Sequence, residues 1–297
     1  MTQIPAEIES VYAKIKASNG VSSKHDEMPA NGVYFALKYR IPNGRIQFIF
    51  WSIWRWCQLY APVLLQIVGF IGIRTRWADN QFRKFTDQVI DGNAFAQKAI
   101  ENGAAFAVID NPSKHRPPQT ILVEDVAETL YALGRYHRQH IDVPVIGITG
   151  SVGKTTTTHL INAILSKKMI TACKFGSNSA IANSINLLNA PAASEAIVLE
   201  MSAIRRGFLN AACDIMRPTH GLITNTGLAH LDTFGSLENI QKGKWELFEK
   251  ITAANGTVFL NMNQPWLASQ AHHVEKAIRF GSQPGNHVVG HLLSADP

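Results

Sequence analysis

A threonine, two glycines, a lysine and a further run of threonines lie close enough together to handle a phosphate. The stretch is Thr149-Gly150-Ser151-Val152-Gly153-Lys154-Thr155-Thr156-Thr157. It follows an apolar run at 143–149 (VPVIGIT) that reads as a buried strand. It precedes residues 158–168 (THLINAILSKK), whose apolar spacing predicts a helix. A strand, a glycine turn and a helix start are the context a phosphate loop requires. Gly150 and Gly153 let the backbone turn tightly enough to aim its N–H groups at phosphate oxygens. The helix N-terminus adds partial positive charge there. Residues 149–156 are therefore the expected ATP-binding segment, with Lys154 neutralising the terminal phosphates and the Thr155 hydroxyl ligating Mg²⁺. The general Gly-x4-Gly-Lys-[Ser/Thr] spacing asks for glycine at 148, where this chain has Ile148. The form here is the shorter TGxxGKTTT.

Three residues downstream carry further chemistry. Glu200 closes the apolar run at 195–201 (EAIVLEM), and open α/β sheets place ligand groups at such strand ends. A carboxylate there, beside a phosphate loop, is a natural Mg²⁺ ligand. His230 lies in a loop after the strand-like run at 220–226 (HGLITNT), at the same expected edge of the sheet. Lys244 lies on the helix predicted over 235–250 (GSLENIQKGKWELFEK). Taken singly, a loop histidine is usually solvated and a helix lysine is usually a surface residue, so their weight comes from their order after the phosphate loop.

These residues need a sheet to hold them, and the alternation of runs supplies one. From residue 143 onward, strand candidates at 143–149, 195–201, 220–226, 256–262 and 276–281 alternate with helical stretches. This predicts a P-loop α/β domain over 143–297 with a mainly parallel sheet. Residues 1–142 read as a smaller α/β domain. Helices are expected at 5–18, 91–101 and 126–140, and strands at 31–38, 104–110 and 120–125. An apolar helical insert at about 39–89 interrupts it. Residues 46–73 of that insert are dense in apolar and aromatic side chains, with Trp51, Trp54, Trp56 and Trp77 in or just beyond them and basic residues on both flanks. Three readings stay open for it: a helical hairpin packed against protein, a segment touching a membrane surface, and a true span.

Composition bounds the rest. Hydrophobic residues make up 46% and charged residues 17%, which excludes disorder of the whole chain. The formal net charge of +6 suits an anionic ligand such as a nucleotide or nucleotide-sugar. There is no dense Lys/Arg run with interleaved aromatics, so nucleic acid is not an expected partner. Cys57, Cys173 and Cys213 are far apart and form no metal-ligand pattern, which suits reduced thiols. The polar, acidic start MTQIPAEIES is not a secretory signal, and a cytoplasmic location is expected, membrane-associated if the insert touches a bilayer.

In order and spacing, the loop TGSVGKTTT, the strand end at Glu200, the stretch ITNTGLAHLDTFGSLENI and the following Lys244 resemble the Mur ligases. Residues 32–38, 91–110 and 178–188 are similar to further stretches of that family. The resemblance implies ATP-dependent amide ligation in peptidoglycan precursor synthesis. A substrate carboxylate is phosphorylated by ATP, an incoming amine attacks the acyl phosphate, and phosphate leaves. It implies Lys154, His230 and Lys244 as catalytic residues and Thr155, Glu200 and His230 as Mg²⁺ ligands. Lys244 matches a lysine that several Mur ligases carry in carbamylated form. The implied substrates are a nucleotide-sugar peptide and an amino acid or dipeptide. A P-loop kinase or GTPase would not be expected to carry the His230 and Lys244 arrangement.

The chain also departs from the family pattern. Residues 21–26 read Val-Ser-Ser-Lys-His-Asp where a Ser/Thr-Asp-Ser/Thr-Arg motif is usual, Ser202 replaces a glycine, and Asn263-Gln264 replaces Asp-Asp. Family members continue past the position of Pro297 into a C-terminal Rossmann-like domain. Two readings follow: a fragment of a divergent ligase, for which a separate chain supplying the last domain is one candidate partner, or a non-catalytic ATP-binding paralogue acting as an interaction or scaffold protein. On either reading the isolated chain is expected to be catalytically weak or inactive.

Overall fold

The computed structural model describes residues 6–17, 21–22, 33–36, 38–41, 88–174, 178–291 and 293. Contacts divide the chain into two compact units, 1–133 and 134–297. The apolar run at 46–73 and most of the stretch at 21–26 lie outside the described residues, as does Cys57. Among the described residues, no helix is long and apolar enough to cross a membrane.

The first unit opens with helix α1 (Ala6–Lys16), whose buried Ile8, Val11 and Ile15 follow helical spacing. Strands β1 (Val21–Ser22) and β2 (Val33–Phe35) come next, then a two-stranded antiparallel ribbon of β3 (Lys38–Ile41) and β4 (Gln88–Asp91). The stretch expected to be helical at 91–101 begins as a 3-10 turn over Gly92–Phe95 and becomes helix α2 (Ala96–Glu101). The cause is local. Asp91 accepts a hydrogen bond from the Asn93 amide, and the buried Asn93 side chain joins Asp91 to Asp110. Strands β5 (Phe106–Ile109) and β6 (Thr120–Leu122) complete a parallel sheet of order β1-β2-β5-β6. Its core gathers Tyr34 and Ile109 with Ala36, Ala96, Ala99 and Ala107, and the alanines let α2 lie close to the sheet. Helix α3 (Val126–Gln139) follows and carries the chain from the first unit into the second.

The second unit is a seven-stranded, all-parallel sheet. Its elements run β7 (Val145–Thr149), α4 (Lys154–Leu165), β8 (Thr171–Cys173), α5 (Ala180–Leu188), β9 (Ala196–Glu200), α6 (Phe208–Met216), β10 (His220–Ile223), α7 (Leu231–Phe234), α8 (Leu237–Ala253), β11 (Thr257–Asn261), α9 (Pro265–Ser269), β12 (Ala277–Gly281) and β13 (Val288–Val289). The strand order is β13-β12-β11-β10-β7-β9-β8. Every residue of β9 is buried, as a strand covered on both faces requires. One face packs Ile148, Val198 and Leu222 against Ile161 and Leu165 of α4. On α8, Leu247, Phe248 and Ile251 are fully buried. Gly221 of β10 is what lets α8 approach: a Cβ there would stand 2.4 Å from Ile251 Cδ1.

Helix α6 is capped from a distance. It starts after Gly207, which has no side chain to cap with. Glu246 of α8, 2% exposed, takes that role, accepting from the Gly207 amide at 2.6 Å and the Asn210 amide at 3.2 Å. A carboxylate at a helix N-terminus satisfies orphan donors and meets the favourable end of the helix dipole.

Candidate active site

The sheet order brings the chemistry together. Strand β7 sits between β9 and β10: the chain leaves β7 toward β8 on one side and leaves the neighbouring β10 toward β11 on the other. Ligands of open parallel sheets bind outside the strand ends at such a switch point. Register then aligns the three ends: Ile148 pairs with Glu200, and Thr149 pairs with Ile223. The loop at 150–153 and the start of α4, the end of β9, and the loop after β10 therefore share one edge.

At the loop, two glycines are required for different reasons. Gly150 has φ +151°, and a Cβ on it would lie 1.9 Å from Thr224 Oγ1. Gly153 has φ +80°, in the left-handed region, with open space around it. As the N-terminal flank of α4 it provides no side-chain cap, so the first amides of that helix carry the unsatisfied donors of a helix start. The helix begins at Lys154 and ends at Leu165, a little earlier at both ends than the apolar pattern at 158–168 predicts. The glycine turn, rather than the apolar residues, sets its start.

Lys154 folds its ammonium back onto the loop, donating to the Gly150 carbonyl at 2.9 Å and to the Ser151 carbonyl at 3.4 Å. Burial lowers its pKa, and the nearby Glu200 charge opposes that shift. The Thr155 hydroxyl donates to Glu200 Oε2 at 2.8 Å. Glu200 is 4% exposed, and its other oxygen accepts from Asn178 Nδ2 at 3.0 Å. Asn183, itself buried, donates to the Glu200 backbone carbonyl at 3.0 Å. Both oxygens of the carboxylate are thus held, one from the phosphate loop and one from the segment entering α5.

Lys244 lies on the buried face of α8 and is 1% exposed. Its Nζ sits 5.7 Å from the centre of the Phe234 ring. Burial pushes its pKa down to about 8, and the positive charge of Lys154 adds to the shift. His230 is exposed, on the turn leading into α7, with left-handed backbone angles (φ 55°, ψ 38°). Left-handed backbone is uncommon outside glycine, though histidine is among the residues enriched there. Thr149 is fully buried, and its hydroxyl has no hydrogen-bond partner among the described residues. The structure therefore joins Lys154, Thr155 and Glu200 and sets Lys244 within electrostatic range of Lys154. His230 stands on the adjoining loop.

Among the described residues, no group of three or more His, Cys, Asp or Glu side chains gathers to hold a metal. A single carboxylate and a hydroxyl nevertheless suit Mg²⁺, which keeps several waters and takes phosphate oxygens as further ligands. The thiols of Cys173 and Cys213 are held in their protonated form. Cys173 is pushed up to about 11 by burial and then by the Glu200 charge, and Cys213 is pushed up to about 12, chiefly by burial. Asn178, Asn183 and Asn225 lie in stretches that carry the family resemblance, but their roles in holding Glu200 and the loop are not legible there, because an asparagine taken by itself reads as a turn or surface residue.

Residues 148–292 match the model of the Mur ligase middle domain. The chain is 32% identical over 210 residues to the UDP-N-acetylmuramoyl-tripeptide–D-alanyl-D-alanine ligase of Synechocystis sp., covering 69% of this chain and 46% of that enzyme. It is 35% identical over 161 residues to the ligase of the same name from Bacillus subtilis, covering 53% of this chain and 35% of that one. In structure it is similar to MurF from Acinetobacter baumannii, with a TM-score of 0.65 at 20% identity over 94% of this chain and 52% of that chain. MurF from Thermotoga maritima in complex with ADP gives a TM-score of 0.62 at 22% identity, over 89% of this chain and 50% of that one. At these identities the structural likeness is one of fold. The chain spans about half the length of the solved chains and less than half that of the two sequence relatives.

Proposed function

Because the chain belongs to the Mur ligases through its middle domain, we propose that it serves ATP-dependent amide ligation in peptidoglycan precursor synthesis. The substrates in this reading are a nucleotide-sugar peptide, which offers a carboxylate, and an amino acid or dipeptide, which offers an amine. The nucleotide-binding domain is taken as residues 143–297 and the N-terminal domain as 1–142. The observation that carries the reading is the pairing of Thr155 with Glu200 at 2.8 Å beside the uncapped start of α4.

Each residue then has a physical task. The amides at the start of α4 and the Lys154 ammonium bind the phosphates, where the helix dipole and a partly desolvated cation offset negative charge. Thr155 and Glu200 would hold Mg²⁺, with His230 as a further ligand. When bound, that ion supplies positive charge against the phosphate oxygens. The acceptor carboxylate attacks the γ-phosphorus of ATP and ADP leaves. The amine nitrogen then attacks the acyl carbon, loses a proton, and phosphate leaves. The proposed role of Lys244 is to carry a carbamate. Its depressed pKa supports this, since a neutral amine is the form that adds to CO₂.

Calorimetry of Mg-ATP binding to the chain and to Lys154→Ala tests the reading. Binding by the first and none by the second is the expected result. No binding by either protein overturns the nucleotide function.

A further inference from the structure

The tip of the phosphate loop is held by polar bonds rather than by packing. The Val152 side chain is 67% exposed, so burial does little to fix its position. Its backbone is nevertheless fully engaged. The Val152 amide donates to Asn225 Oδ1 at 3.3 Å, and its carbonyl accepts from Asn225 Nδ2 at 2.9 Å and from the Thr224 hydroxyl at 2.6 Å. One asparagine side chain therefore meets both backbone groups of one residue, and so the two peptide units that flank it, through both its acceptor and its donor. Next to it, the Ser151 amide donates to the Asn225 carbonyl at 3.1 Å, and the Ser151 hydroxyl donates to the Gly227 carbonyl.

The clamp is itself anchored. Asn261, at the end of β11, donates to the Thr224 carbonyl at 3.1 Å, and the Thr224 amide donates to the Thr149 carbonyl at 2.9 Å. Few side chains could replace Asn225. Aspartate has the acceptor and lacks the donor, alanine has neither, and glutamine is longer by a methylene. The bonds also sort the loop's amides. Those of Ser151 and Val152 are turned to Asn225, although both residues fall in the segment expected to bind the nucleotide. The amides left for phosphate are those at the start of α4.

We infer that Asn225 is a positioning residue, which holds the loop tip in the shape that presents the start of α4 to phosphate. The inference rests on the nucleotide-binding reading above and adds to it. It also ties the loop to the segment that leads into His230, because Thr224, Asn225 and Gly227 all take part.

The test combines amide hydrogen exchange, read residue by residue by NMR, with calorimetry of Mg-ATP binding. The proteins are the full chain, Asn225→Ala and the near-isosteric Asn225→Asp. In Asn225→Ala the Val152 amide should exchange about tenfold faster, the scale of one lost hydrogen bond. The amides of Ile148 and Leu222 in the sheet should be unchanged, and ATP affinity should fall about tenfold. In Asn225→Asp the acceptor remains, so the Val152 amide should stay protected, a pattern that general destabilisation would not produce. If the unaltered chain binds ATP and Asn225→Ala binds it as tightly, the inference fails alone. Equal Val152 exchange in the chain and in Asn225→Ala also overturns it. If the unaltered chain does not bind ATP, the nucleotide reading fails and the inference falls with it.

Discussion

Replacing Lys244 by methionine should make the protein more stable, and more so at neutral pH than at alkaline pH. The side chain is 1% exposed, and burial, then Lys154, pushes its pKa from the ordinary 10.5 to about 8. Below pH 8 the lysine is protonated in both folded and unfolded chains, and the native state carries the whole cost of a buried charge. Between pH 8 and about 10.5 the native chain has released its proton while the unfolded chain still holds one. Stability attributable to this residue therefore rises with pH across that window, and above it the cost is gone. The two pKa values differ by roughly 2.5 units, or about 3 kcal/mol at ~1.36 kcal/mol per unit. Methionine has similar length, carries no charge and can pack its sulfur on the Phe234 ring, so some misfit aside the gain at pH 7 should be about 1–3 kcal/mol. Urea unfolding of both proteins at pH 7 and pH 10 measures it. Taking the difference between the proteins cancels other titrating groups, such as Tyr131, which burial pushes up to about 12. The difference should shrink as pH rises. A less stable variant at pH 7, or a difference that does not change with pH, would refute the reasoning.

Three other substitutions test the loop geometry and the cap on α6. Gly150→Ala places a Cβ 1.9 Å from Thr224 Oγ1 at a φ of +151°, so Mg-ATP affinity should drop more than about tenfold while circular dichroism stays unchanged. Retained affinity would show that the loop can shift aside. Glu246→Ala removes the acceptor for the Gly207 and Asn210 amides and should cost about 3 kcal/mol by denaturant midpoint. Arg206→Ala removes only the half-exposed partner, 3.4 Å from Glu246, and should cost under about 1 kcal/mol. Equal losses would mean that the ion pair, rather than the cap on α6, is what matters.

Much of the site could be read from local spacing. A buried strand, glycines at 150 and 153, and a lysine-threonine helix start are neighbours in sequence, and a phosphate loop is itself a local structure. Glu200 was legible as the end of an apolar run, because strand ends are where a parallel sheet places ligand groups. The same logic recovered most strands of the second unit. The three-residue β8 and the two-residue β13 escaped, since neither is long enough to show a period.

What the residues alone determined is the chemistry available here: a phosphate loop, a carboxylate, a histidine and a lysine in a fixed order along an alternating α/β chain. The tertiary structure decided which of them meet. Only the order β10-β7-β9 sets Thr155 against Glu200, turns Asn225 onto Val152 from 73 residues away, and buries Lys244 beside Phe234 rather than in solvent. Asn225 lies inside a motif stretch and Glu246 in a helical one, but neither pattern names a partner, because the groups they bind are distant in the chain. A hydrogen bond is set by distance and direction in space, and a pKa by the dielectric around it, and neither is a property of sequence spacing.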